Sequence, residues 1–178
     1  MKTKLPHIII VAGVIVAFGI YAASKTATTP AVSSASAAVL TVGKPAPDFN
    51  VQSIDGKPFS LAEHKGKTVI IFGMFGGCGE CIPVGQTLNK IEQDYAAKGV
   101  SVVAIDILNG EPTSTLQQYG DYINADFPLV SYDASVVHAY NLTAPEITYV
   151  IDKNGNIAYI NQSALSYQQY KAELDKII

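Results

Sequence analysis

The stretch Lys67-Thr68-Val69-Ile70-Ile71-Phe72-Gly73-Met74-Phe75-Gly76-Gly77-Cys78-Gly79-Glu80-Cys81 decides the reading of this chain. Its first half is a short β-branched run, the pattern of a strand buried on both faces. Glycines then interrupt it, and two cysteines follow in C-x-x-C spacing. From Gly79 to Ala97 the apolar residues Leu88, Ile91 and Tyr95 recur at three- and four-residue intervals, which marks one face of a helix. Gly99 stops that helix. The cysteines are therefore predicted at a strand-to-helix turn, with Cys78 at the N-terminal end of the helix.

Downstream, Val100 to Ile107 reads as a second buried strand. Thr113 to Ala125 reads as a helix opened by Pro112. Phe127 to Val130 is a short strand, and Asp133 can cap a helix over Ala134 to Tyr140. Ile147 to Ile151 and Asn156 to Ile160 are β-like runs joined by Asp152-Lys153-Asn154-Gly155, a strong hairpin signal. Ser166 with Gln169 forms a capping box for a last helix. Upstream, Phe49 to Ser53 and Pro58 to Leu61 flank Asp55-Gly56 and suggest an N-terminal β-hairpin extension. Strands alternating with helices imply an α/β fold, a central mixed sheet flanked by helices.

The chain has 178 residues and a net charge of −3. No basic cluster appears in the part after the N-terminal segment, so nucleic acid is not an expected partner. The run Leu5 to Ser24 carries no formal charge and is apolar from Ile8 to Ile20. Such a run is long enough for a transmembrane helix, and Lys2 and Lys4 favour a cytoplasmic N-terminus. It exceeds a typical signal core, which favours an uncleaved anchor, although Ala35-Ser36-Ala37 has the pattern of a cleavage site. Either alternative sends the remainder across a membrane. Residues 24–41 are small and polar, a flexible linker by composition. The expected organisation is an anchor or signal over 1–23, a linker over 24–41 and one domain over 42–178.

A thiolate, not a thiol, attacks a disulfide. The unpaired amides and dipole at a helix N-terminus stabilise a thiolate at Cys78. Cys81, one turn on, can attack the mixed disulfide that results. Cys78 is thus the expected nucleophile and Cys81 the resolving thiol. Other readings of the pair stay open. A structural zinc site needs four ligands, and beyond the cysteines the chain offers only His7, His64 and His138. A purely structural disulfide would close so short a loop that it contributes little stability. Gly76 and Gly77 either serve the turn or let a partner backbone approach closely. Glu80 either opposes ionisation of Cys78 or simply favours the helix dipole. Pro145 is either a strand-initial proline or one with a cis bond.

Val42-Gly43-Lys44-Pro45-Ala46-Pro47-Asp48-Phe49, Asp55-Gly56-Lys57 and Leu61, the C-x-x-C, and Tyr140 to Pro145 followed by Thr148 to Asp152 and Gly155 together resemble TlpA/ResA-type thioredoxin-like proteins, of the redoxin superfamily. The resemblance covers residues 42–178. It implies a thioredoxin-like fold and thiol-disulfide oxidoreductase activity, needing no cofactor or metal, with Cys78 and Cys81 as the redox-active disulfide. It makes Pro145 a cis-proline beside the dithiol and has Ala144 offer its backbone to an extended peptide. Gly77, Glu80, Ala144 and Pro145 are then the residues expected to meet a client. It also implies a membrane-anchored protein, periplasmic or outward-facing, that reduces disulfide-containing clients and is recharged by a membrane thiol donor of the DsbD/CcdA type.

The chain departs from that pattern. Gly77 stands where the family has Trp, and Gly79-Glu80 replaces the usual x-Pro. Pro83 follows Cys81 by two residues. The peroxiredoxin pattern would need Thr or Ser at position 75 and Pro at 71, which are Phe75 and Ile71. The alternative from another class is a Sco-like copper chaperone. It requires C-x-x-x-C and a late His, for which His138 is the nearest residue.

Overall fold

The computed structural model describes residues 40–178. The segment 1–23 and nearly all of the linker expected over 24–41 lie outside the described residues. Among those described, no helix is long and apolar enough to cross a membrane.

In chain order the elements are β1 (Asn50–Gln52), β2 (Pro58–Ser60), β3 (Thr68–Met74), α1 (Cys81–Tyr95), β4 (Val100–Asp106), α2 (Thr113–Ile123), β5 (Leu129–Val130), α3 (Ala134–Ala139), β6 (Thr148–Ile151), β7 (Ile157–Asn161) and α4 (Tyr167–Leu174). β1 and β2 pair antiparallel, Val51 opposite Phe59. The main sheet has the order β5-β4-β3-β6-β7. β3, β4 and β5 are parallel, whereas β6 runs antiparallel to β3 and β7 antiparallel to β6. This is the mixed sheet that the alternating pattern implied.

β3 is buried along its whole length, as a strand covered on both faces must be. Ile70, Phe72 and Met74 point to one face and pack with α1, α2 and α4 through Leu88, Ile91, Leu116, Tyr119 and Tyr170. Val69 and Ile71 point to the other face, where α3, β1 and β2 supply Val136, Val137, Val51 and Phe59. Tyr140 ties this second layer together. Its hydroxyl donates to the Pro47 carbonyl at 2.6 Å, and its ring meets Phe49 and Tyr149 edge-on.

The local signals act where the sequence placed them. Asp133 accepts from the Ser135 and Val136 amides at the start of α3. Ser166 and Gln169 close a reciprocal capping box on α4. Gly155 adopts φ +83° in the β6–β7 turn, and Asp152 accepts from the Asn154 and Asn156 amides there. α1 and α2 are shorter than expected. α1 opens only at Cys81, and α2 ends where Asn124 turns left-handed at φ 53°.

Candidate active site

β3, β4 and β5 all end on the same edge of the sheet, and the cysteines sit just past the end of β3. The chain leaves Met74, turns through Phe75 to Glu80 and starts α1 at Cys81. The turn is closed by the Cys78 amide donating to the Phe75 carbonyl at 3.0 Å. Cys78 and Cys81 are joined by a disulfide. Cys78 therefore lies in the strand-to-helix turn, as the spacing predicted, with α1 opening at Cys81. The helix end still reaches it: the Cys81 amide points at the Cys78 Sγ at 3.1 Å.

Gly77, Gly79 and Glu80 are exposed. The cysteine side chains are not. Cys78 is 6% exposed and Cys81 0%, both within the core beneath α1. Of the two residues only Cys78 keeps any contact with solvent.

Two residues not anticipated from sequence hold this turn. Glu111, in the loop between β4 and α2, accepts from the Gly76 amide at 2.6 Å and the Gly77 amide at 3.2 Å. A carboxylate thus occupies both donors immediately before Cys78. α2 also presses on the turn. A side-chain carbon on Gly76 would lie 2.8 Å from the Thr115 carbonyl oxygen, so only glycine fits there. The second residue is Tyr119, whose buried hydroxyl donates to the Cys81 carbonyl at 2.9 Å. Gly85 makes room for it, since a carbon there would stand 2.1 Å from that hydroxyl. Burial holds the Tyr119 phenol well above its ordinary pKa, so it remains a donor. Tyr119→Phe should lower unfolding free energy by about 1 kcal/mol, the usual net value of one hydrogen bond. A denaturant titration checks this, and an unchanged midpoint would show that the bond carries no weight.

Asp106 ends β4 and pairs in the ladder with Met74. It is 1% exposed. One carboxylate oxygen accepts from the Leu108 amide at 2.8 Å, while Oδ2 has no hydrogen-bond partner among the described residues. Burial, reinforced by the nearby Glu111 charge and offset by backbone donors at Leu108 and Tyr132, pushes its carboxyl up to about 6. A lone acid closing the apolar run Val102-Val103-Ala104-Ile105 was the one visible signal for it.

The loop carrying Ala144 and Pro145 is hydrogen-bonded to β3 upstream of the dithiol. The Glu146 amide donates to the Gly73 carbonyl, and the Gly73 amide to the Ile147 carbonyl, both at 2.8 Å. Ala144 is exposed and Pro145 partly so. The expected cis bond is corrected: among the described residues no peptide bond is cis, so Pro145 follows a trans bond. The change of direction into β6 is made instead by Glu146, at φ 67°. With that turn supplied, the trans preference of about 0.5–1 kcal/mol at X–Pro is left unopposed. His138 lies on α3, whose Val136 and Val137 pack on the face of the sheet opposite the cysteines. The structure does not bring it to them.

Comparison with known proteins agrees with this geometry. Residues 41–178 match the Redoxin family. A thiol-disulfide oxidoreductase ResA of Geobacillus thermodenitrificans is 27% identical over 137 residues, covering 76% of this chain and 78% of its own. The thioredoxin-like protein YneN of Bacillus subtilis is 26% identical over 134 residues, covering 75% and 78%. A thiol:disulfide interchange protein of Chlorobium tepidum, 24% identical, superposes with a TM-score of 0.70 over 75% of this chain and 95% of its own, which shows the thioredoxin-like fold. With that fold, a matching family over most of its length and a disulfide-bonded C-x-x-C at the end of β3, the chain belongs to the Redoxin family and is a thiol-disulfide oxidoreductase.

Proposed function

We propose that the protein works outside the cytoplasm, held to the membrane by its N-terminal segment, and reduces disulfides in client proteins. In the reduced form Cys78 is the nucleophile. Its thiolate attacks one sulfur of a client disulfide, forming a mixed disulfide while the second client sulfur leaves as a thiolate and takes up a proton. Cys81 then gives up its proton and attacks the Cys78 sulfur. The client leaves with two thiols, and the Cys78–Cys81 disulfide is formed. A membrane dithiol donor of the DsbD/CcdA type returns the two electrons. The solvent-bordering Cys78 and enclosed Cys81 fit this order of events. Ala144 and Pro145 lie on the loop bonded to β3, where an extended client segment could align, and Gly77 and Glu80 border the sulfur it meets.

The observation that carries the reducing direction is Glu111. Its carboxylate takes up the Gly76 and Gly77 amides, donors otherwise free to stabilise a thiolate. It also sets a negative charge beside the turn, as Glu80 does within it. Both disfavour a Cys78 thiolate, and strong oxidants are those whose reduced form is stabilised. Equilibration with a glutathione or dithiothreitol buffer should place the reduction potential below about −200 mV. A value near −120 mV, the range of a strong oxidant, would overturn the direction. A Cys81→Ala chain in its native membrane should accumulate mixed disulfides with clients, and their identification would name them.

A further inference from the structure

Among the described residues, the loops at the dithiol end of the sheet lack a permanent positive charge. β3, β4 and β5 end there and β6 begins there, so the turns 75–80, 107–112, 131–133 and 140–147 share that end. The chain contains no arginine, and no lysine occurs between Lys67 and Lys90 or between Lys98 and Lys153. His138 is the single side chain in these stretches that could become cationic. Against that stand Glu80, Asp106, Glu111, Asp133 and Glu146. Glu80 is exposed, and Glu111 and Glu146 are partly so: Glu80 lies inside the motif, Glu111 on the Gly76-Gly77 amides, and Glu146 in the loop bonded to Gly73 at the same end of the sheet.

Three lysines mark the other end of the sheet. Lys67 precedes β3, Lys98 precedes β4, and Lys153 sits in the β6–β7 turn. The Lys153 carbonyl accepts from the Gly66 amide at 3.1 Å, which brings these turns together. Over residues 40–178 the chain carries fifteen Asp and Glu against nine Lys, and none of those lysines falls in the turns at the dithiol end.

We propose that this acidic rim selects clients by charge: the preferred disulfides are flanked by lysine or arginine. The inference rests on the reading of the protein as a reductase of protein disulfides and names the class of segment it takes. The attraction is long-range and screened, because the Debye length is about 8 Å at physiological ionic strength. Complementary fields of this kind act on encounter rate more than on the chemical step.

The test uses the full reduced chain in a neutral detergent and two disulfide-bridged peptides that differ only in flanking Lys or Glu. Each rate is divided by that of the same peptide with dithiothreitol, which removes intrinsic reactivity. The Lys peptide should be favoured about tenfold or more at about 20 mM ionic strength, with the preference falling towards unity near 0.5 M salt. Glu146→Lys should reduce the preference at low salt. Equal normalised rates at low salt, a preference for the Glu peptide or a preference indifferent to salt overturns the inference and leaves the reductase reading intact. Exchange with neither peptide overturns both.

Discussion

Cys78→Ala is expected to bring thiol-disulfide exchange down to the buffer background, a loss of at least about a thousandfold. Cys81 cannot take over, because it is fully enclosed while Cys78 borders solvent. The variant should still fold, since a disulfide closing so short a loop constrains the unfolded chain little. Loss of activity would therefore report on chemistry. Cys81→Ala should behave differently. It retains the first attack and lacks the second, so it should form one equivalent of mixed disulfide and then stall. Reduction of a disulfide-bridged fluorogenic peptide, followed by non-reducing electrophoresis, separates the two outcomes. Substantial turnover by Cys78→Ala, or no adduct with Cys81→Ala, would overturn the assignment of roles.

The fold was legible in the sequence wherever a local rule suffices. β3 and β4 are β-branched runs with no competing helical period, so their burial on both faces was implied by composition. The caps at Asp133 and Ser166 and the Asn154-Gly155 turn depend on neighbouring backbone amides alone, and all three form. The site was legible only in its cysteines. Glu111 reaches Gly76 across 35 positions, and Tyr119 reaches the Cys81 carbonyl across 38. Contacts at that separation are set by how α2 lies against the turn, which periodicity does not specify. The bond before Pro145 was misjudged for the same kind of reason. Proline tolerates either isomer, and the deciding feature is the left-handed turn at the following residue, Glu146. Burial of Cys78 was not legible either: it accompanies a turn in which Gly76 packs directly on the start of α2, a contact that only a glycine permits.

Asp106 should make the domain less stable as pH rises, against the usual trend for carboxylates. An acid held at about 6 in the folded chain, against an ordinary 3.8, binds its proton more tightly folded than unfolded. Well below pH 3.8 both states are protonated and nothing is lost. Between pH 4 and 6 the unfolded chain ionises first, and stability falls. Above pH 6 the folded chain is ionised too, and the loss levels off at about 3 kcal/mol, at about 1.4 kcal/mol per tenfold change in the proton equilibrium. Asparagine has the shape of the protonated carboxyl, can keep the Leu108 amide bond and leaves one group unpaired, as Oδ2 already is. Asp106→Asn should therefore lie within about 0.6 kcal/mol of the parent at pH 4 and exceed it by about 2–3 kcal/mol at pH 7. Urea titrations of both chains across pH 4–8 measure the difference directly, and a constant offset would remove Asp106 as its source. A stabilised variant is the expected sign because the charge sits buried and half-paired at the end of β4, beside the strand that delivers Cys78. Removing it should also ease ionisation of that thiol, so the same variant should have a less negative reduction potential than the parent.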